Sequence, residues 1–246
     1  MTMLRMVLLW ILWISSASAD EIQVAVAANF SAPAQKIVEG FRAATGHKVA
    51  ISAGSTGKLY AQIKNGAPFD VLLAADEETP VKLEKEGVGV TGSRFVYATG
   101  RLILWSKRTG WVDDQGAVLT KGTFEHLAIA DPKLAPYGAA AIEVLEKLGL
   151  LESLRPKFVQ GENITQVHQF VTSGNAELGF LALSLVMRED KITEGTGWLV
   201  PGDLHRPLRQ EAILLNRGKD NPAAKAWLAH LRTPETRALI ASFGYE

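Results

Sequence analysis

The chain has 246 residues with 26 basic and 26 acidic side chains, so its formal net charge is zero. A content of 47% hydrophobic and 21% charged residues is globular. It excludes a disordered chain, and the neutral balance excludes a protein that gathers nucleic acid or anionic lipid through a net positive field. There are no cysteines, so no disulfide, thiol nucleophile or lipid-anchor cysteine is available and a large core must supply the stability.

Arg5 is followed by an apolar run over 6–14, then by Ala17-Ser18-Ala19, Asp20 and Glu21. This is the basic, apolar and small-residue order of a secretory signal peptide, and the run is too short for a permanent membrane span. Residues 1–19 are therefore expected to be removed, leaving 25 basic and 26 acidic side chains in an exported, periplasmic chain. No second long apolar run follows, so the mature chain is expected to be soluble.

Strand and helix patterns then alternate. Strands are expected over 22–28, 48–53 and 71–74, and helices over 32–44, 58–64 and 80–86, from apolar periodicity and the breakers Gly46 and Asn65-Gly66-Ala67-Pro68. The segment 95–105 reads as one long strand with Gly100 in its middle. A second series follows: strands at 127–130, 157–159 and 178–182, and helices at 137–148 and 164–173. Residues 208–216 read as a strand again, before helices at 222–231 and 234–243. Alternating strands and helices imply mostly parallel sheets flanked by helices. Two such series joined by two strand-like crossings imply an α/β protein of two lobes with a cleft between them. The expected division is 20–98 with 209–246 for lobe 1 and 99–208 for lobe 2, bending near Tyr97–Gly100 and Arg209–Gln210.

In open α/β sheets ligands lie beyond the carboxyl ends of strands, where helix N-termini point. Four junctions fit: Asn29, Ser55 with Thr56, Tyr137 and Ile164 each stand between a strand and a helix. The first turn of a helix has free N–H groups and a slightly positive end, so four such ends suit an anion without any full positive charge. The competing explanation at each position is ordinary helix capping by Asn, Ser or Thr. Gly54-Ser55-Thr56-Gly57-Lys58-Leu59 lacks the spacing of a phosphate-binding Walker loop, and no Gly-x-Ser-x-Gly elbow surrounds Ser55. The five histidines make no HExxH or similar metal pair. Asp70, Asp76, Glu77 and Glu78 read as a solvated helix start rather than an acid–base pair. No nucleophile with a base can be assembled, so an enzyme is not expected, although an exported α/β enzyme stays open as an alternative.

At these same junctions the sequence resembles the periplasmic molybdate-binding proteins of molybdate ABC importers, which have the type II periplasmic binding protein fold. The stretches that carry the resemblance are AVAANFSAPAQKI (25–37), ISAGSTGKLYAQIKNGAPFDVLLAAD (51–76), GSRFVYATGRLILWS (92–106), IADPKLAPYGAAAIEVLEKLG (129–149) and SGNAELGFLALS (173–184). The resemblance implies that molybdate or tungstate is held by neutral donors from Asn29, Ser55, Thr56, Tyr137 and the Ile164 backbone, with Ala28 adding a backbone contact. The molybdenum is then bound as its oxyanion, through oxygens, and no cofactor is implied. Some family members carry a tyrosine near position 182, where this chain has Ala182. The resemblance further implies a monomer that serves a membrane permease and its cytoplasmic ATPase. The alternative within binding proteins is another oxyanion such as sulfate, thiosulfate or phosphate. A carboxylate binder would offer an Arg fork, and none stands at the four junctions.

Overall fold

The computed structural model describes residues 20–121, 123–189 and 191–246; the expected signal peptide lies outside them. The first half builds β1 (Glu21–Ala27), α1 (Ser31–Thr45), β2 (Lys48–Gly54), α2 (Thr56–Lys64), β3 (Val71–Leu73), α3 (Glu78–Lys85) and β4 (Phe95–Gly100). β5 (Leu102–Ser106), α4 (Val118–Lys121), β6 (Leu127–Ala130), α5 (Pro136–Lys147), α6 (Leu151–Leu154), β7 (Phe158–Gly161), α7 (Ile164–Thr172) and β8 (Leu178–Ala182) follow. The chain ends with β9 (Met187–Arg188), β10 (Lys191–Ile192), β11 (Thr196–Leu199), β12 (Leu208–Leu214), α8 (Pro222–His230) and α9 (Pro234–Ala241).

Two five-stranded sheets result. The first runs β2-β1-β3-β12-β4 and the second β11-β5-β8-β6-β7. β1 is parallel to β2 and β3, while β12 is antiparallel to β3 and β4. In the second sheet β6 is parallel to β7 and β8, and β5 is antiparallel to β8 and β11. The two-lobed α/β architecture is the expected one, but each sheet is mixed and not mostly parallel: the strands next to the crossings, β4 and β12 in the first sheet and β5 and β11 in the second, pair antiparallel.

The apolar runs explain the central strands. Val71-Leu72-Leu73 and Leu127-Ala128-Ile129-Ala130 are buried on both faces, as continuous apolar strands must be when helices cover both sides. Around the first sheet, Phe41 of α1 meets Trp227 of α8 edge to face at 5.2 Å. Around the second, Trp105, Phe124, Phe180 and Trp198 pack with the aliphatic strand residues. Trp105, Trp198 and Trp227 are thus core groups, and among the described residues no tryptophan lines the cleft cavity described below.

The expected single strand over 95–105 is in fact two. β4 ends at Gly100 in the first sheet, and β5 begins at Leu102 in the second. The return crossing lies between Leu199 and Leu208. The C-terminus comes back to this place, since Thr99 and Glu246 exchange both backbone hydrogen bonds, at 2.7 and 3.0 Å. The short pieces α4, α6 and β9–β11 carry too few residues to show a period, and the periodicity did not foresee them.

Helix starts are pressed close to strand ends. A methyl group at Gly138, in the first turn of α5, would lie 2.2 Å from the Ala130 carbonyl oxygen at the end of β6. Substituting Gly138→Ala should therefore push α5 off the sheet and cost about 1–3 kcal/mol, the usual cost of overpacking. A thermal midpoint equal to that of the unsubstituted protein would refute this close approach.

Candidate functional site

Three helix starts and the turn after β1 meet where the lobes touch. Ala28, Asn29, Ser55, Thr56, Tyr137 and Ile164 all line one cavity, together with Ala27, Gly54, Ala75, Ala135, Pro136 and Asn163. All six sequence-predicted residues are nearly shielded from solvent, at 1–5% exposure. The cavity is about 10 Å³, of the order one water molecule requires. That leaves room for a compact species and none for a sugar, amino acid or nucleotide. No lysine, arginine, histidine or carboxylate lines it, and among the described residues no cluster of three metal-ligating side chains exists.

The capping explanation fails where it matters. Ser55 precedes α2 but makes no side-chain cap, and its buried Oγ has no hydrogen-bond partner. Asn163 is a true cap: its Oδ1 accepts from the N–H groups of Thr165 at 3.0 Å and Gln166 at 3.1 Å. This satisfies the second and third N–H of α7 and leaves that of Ile164, the first helical residue, free. Among the described residues, the main-chain N–H groups of Asn29, Thr56, Tyr137 and Ile164 donate to nothing. A buried donor without a partner is uncommon in a folded protein and costs about 1–3 kcal/mol. Five such groups face one cavity, an arrangement whose chemistry suits a small acceptor-rich anion.

Side chains of the predicted residues have further tasks. Thr56 Oγ1 accepts from the Ala75 N–H at 3.0 Å, tying the start of α2 to the end of β3. The Asn29 carboxamide donates inward, to Gln210 Oε1 at 2.9 Å and to the Tyr245 hydroxyl at 3.0 Å. The Asn29 carbonyl accepts from Ser184 Oγ and from Tyr245, both at 2.9 Å. The Ala28 carbonyl accepts from Thr165 Oγ1 of the other lobe at 3.4 Å. Gln210, Tyr245, Ser184 and Tyr97 thus back the site, and the sequence reading did not assign them a part in it. Tyr97 and Gln210 enter the sequence reading as bending points, Ser184 only within a stretch that carries the resemblance and Tyr245 not at all, because their contacts with the site come from segments far apart in the chain. Ala182 is fully buried at the end of β8 and brings no hydroxyl.

The lobes are in contact around the cavity. The Gly57 N–H donates to the Leu134 carbonyl at 2.9 Å, and Lys58 pairs with Glu162 at 3.0 Å. Lys58 is thus an exposed cross-cleft partner and not an anion ligand. Beside the cavity runs a groove of about 520 Å³ that holds three ion pairs: Arg206 with Glu143 at 2.7 Å and with Glu78 at 3.3 Å, and Arg209 with Glu77 at 2.8 Å. The acidic group expected to be solvated divides. Asp76 accepts from the Thr79 N–H at 2.8 Å, as a helix-start carboxylate does, and its burial pushes its carboxyl up. Asp70, however, is buried against Arg217 at 2.6 Å and the Gln23 N–H at 2.8 Å.

Residues 22–246 match the family described as bacterial extracellular solute-binding protein. The chain is 59% identical to the molybdate-binding protein ModA of Azotobacter vinelandii, over 94% of this chain and 91% of that one. It is 50% identical to ModA of Rhodobacter capsulatus, over 93% and 89%. This chain belongs to the extracellular solute-binding family, in the group of the ModA proteins. The solved Azotobacter vinelandii periplasmic molybdate-binding protein superposes with a TM-score of 0.89 at 39% identity, covering 92% of this chain and 98% of that one. The sulfate-binding protein SubI of Mycobacterium tuberculosis H37Rv shares the fold, with a TM-score of 0.77 at 13% identity. The two lobes are therefore those of the type II periplasmic binding fold.

The hydroxyls behind the site are kept neutral. Burial pushes Tyr97, Tyr137 and Tyr245 upward from the ordinary tyrosine value near 10. The folded chain then holds protons that the unfolded chain releases above about pH 10, so the stability these groups lend is complete below that pH and is lost above it. Alkaline spectrophotometric titration should show three of the four tyrosines silent until the protein unfolds. Reversible ionisation of more than one tyrosine in the folded state would contradict their burial.

Proposed function

We propose that this protein captures molybdate, and its near-isostere tungstate, in the interlobe cavity through neutral donors alone, and delivers it to the permease of an ABC importer. It is a transport binding protein and not an enzyme, as its ModA relatives are. The observation that carries the site assignment is the ring of unpaired buried donors: the Ser55 hydroxyl and the N–H groups of Asn29, Thr56, Tyr137 and Ile164.

A dianion loses its hydration shell on entering a closed cleft, which is costly unless each oxygen meets donors. Fixed N–H and O–H groups replace that shell, and charge-assisted hydrogen bonds supply the strength. The starts of α2, α5 and α7 add their dipoles. Without a cation in the wall, any anion is not equally welcome. The spacing of donors selects by size, so sulfate, a smaller tetrahedron, leaves some of them out of reach. Protonated phosphate presents an O–H to a site whose free groups are donors, and leaving that proton unpaired costs about 1–3 kcal/mol.

Capture requires the lobes to part. We assign residues 20–98 with 209–246 to one lobe and 99–208 to the other, except that Thr99, Gly100 and Leu208 pair within the first sheet and belong to the first lobe, with bending at the two crossings. Export through the signal sequence at 1–19 places the protein in the periplasm, as a monomer that meets a membrane permease driven by a cytoplasmic ATPase.

Calorimetry of the mature protein should show tight binding of molybdate and tungstate, and little of sulfate or phosphate; strong sulfate binding without molybdate binding would overturn the specificity. Ser55→Ala should weaken molybdate binding about ten- to a hundredfold, since a hydrogen bond to a charged group contributes about 1.5–3 kcal/mol. Ile164→Pro removes one N–H at a first-turn position where proline fits, after an Asn163 already extended at φ −153° and ψ 172°. It should weaken binding by a similar factor while Ile164→Ala binds nearly as the unsubstituted protein does. Equal affinities of the proline and alanine variants would exclude that N–H from the site.

A further inference from the structure

Asn29 and Tyr137 offer main-chain donors to the cavity, yet their polar side-chain atoms meet the same third residue. Gln210 of β12 is wholly shielded from solvent. Its Oε1 accepts from Asn29 Nδ2 at 2.9 Å, and its Nε2 donates to the Tyr137 hydroxyl at 3.1 Å. The Tyr97 hydroxyl also donates to Oε1, at 3.0 Å. Gln210 is not a wall of the cavity. It lies in β12, two residues past the return crossing, paired with Ala98 of β4 where the register of β12 shifts. A methyl group at Gly100 would lie 2.0 Å from the Tyr137 hydroxyl and 2.5 Å from Gln210 Nε2. The crossing is thus stripped of a side chain at the place where this bond forms.

We propose that Gln210 is a positioning residue: its carboxamide braces Asn29 of the first lobe against Tyr137 of the second, and so sets the spacing of their two main-chain N–H donors in the closed cleft. This rests on the oxyanion reading of the cavity. A planar amide accepts at one end and donates at the other, which makes it a brace of fixed length between a donor and an acceptor. An oxyanion site needs its donors held within about half an ångström. A brace beside the crossing acts on that spacing directly, because a tilt there displaces every donor of one lobe relative to the other. The Tyr137 hydroxyl accordingly serves the site through Gln210, in addition to whatever the Tyr137 N–H contributes.

Calorimetry with molybdate on the full mature chain tests this with Gln210→Leu, Tyr137→Phe and Ser55→Ala, and with the Gln210→Leu change combined with each of the other two. Gln210→Leu should weaken binding about tenfold. Adding Tyr137→Phe should weaken it no further than about twofold, whereas adding Ser55→Ala should multiply the two losses. Thermal unfolding of the ligand-free variants is read alongside, and Gln210→Met replaces the leucine variant if that one does not fold. Unchanged affinity in the Gln210 variant, with the unsubstituted protein binding molybdate, would overturn the brace. So would losses that multiply alike with Tyr137→Phe and Ser55→Ala, the signature of general loosening. An unsubstituted protein that binds no molybdate would overturn the site reading, and the brace with it.

Discussion

A buried N–H group with no acceptor destabilises a fold by about 1–3 kcal/mol, and this cleft holds four of them beside an unpaired serine hydroxyl. In the proposed reading, the rest of the structure keeps those groups unsatisfied until an anion enters. Side-chain oxygens that would ordinarily relieve them are turned elsewhere. Asn163 caps the second and third N–H of α7 and spares the first. Thr56 Oγ1 accepts from Ala75, and Ser55 leaves its own helix uncapped. Pro136, at the first position of α5, has no N–H at all, so Tyr137 presents the first donor of that helix.

The fold supplies the convergence. Parallel strands place helix starts at a common edge of each sheet, and two sheets facing across a cleft bring two such edges together. Close packing at the junctions then fixes the distances: Gly138 lies against Ala130, and Gly57 against Leu134 of the other lobe. With large cores behind both sheets, the helix starts cannot relax toward one another or toward water. Surface ion pairs across the groove, such as Lys58 with Glu162, contribute little by comparison.

Much of this was legible in the chain. The elements with a clear period, such as 127–130 and 178–182, lie where the apolar pattern put them, because burial on both faces leaves a strand no alternative. All six candidate residues fall on one cavity, because the strand-to-helix junction is a local feature that a sequence displays. What the sequence did not display was how each residue is used. Asn29 and Tyr137 look like side-chain donors on paper, yet the Asn29 amide donates to Gln210 and Tyr245 and the Tyr137 hydroxyl accepts from Gln210, which lies 181 and 73 residues from Asn29 and Tyr137. The break at Gly100 was hidden for a related reason. Residues 95–105 have strand character throughout, and only the approach of Tyr137 and Gln210 shows why position 100 is a glycine.

Neutrality of the wall has a consequence for the way the lobes must work. An arginine in the cavity would hold an anion from one lobe alone, through charge that acts over many ångströms. Hydrogen bonds from N–H and O–H groups act only at contact, and here they are divided: Asn29, Ser55 and Thr56 come from the first sheet, Tyr137 and Ile164 from the second. Neither lobe alone can replace the hydration shell of a dianion, so in the proposed reading recognition and closure are a single event. The buried network of Asn29, Gln210, Tyr137, Tyr97 and Tyr245 lies where that event must be registered, between the crossing strands and the donors. A protein that reports its load by its shape gains from this division, because an ion that fails to satisfy both halves also fails to bring them together.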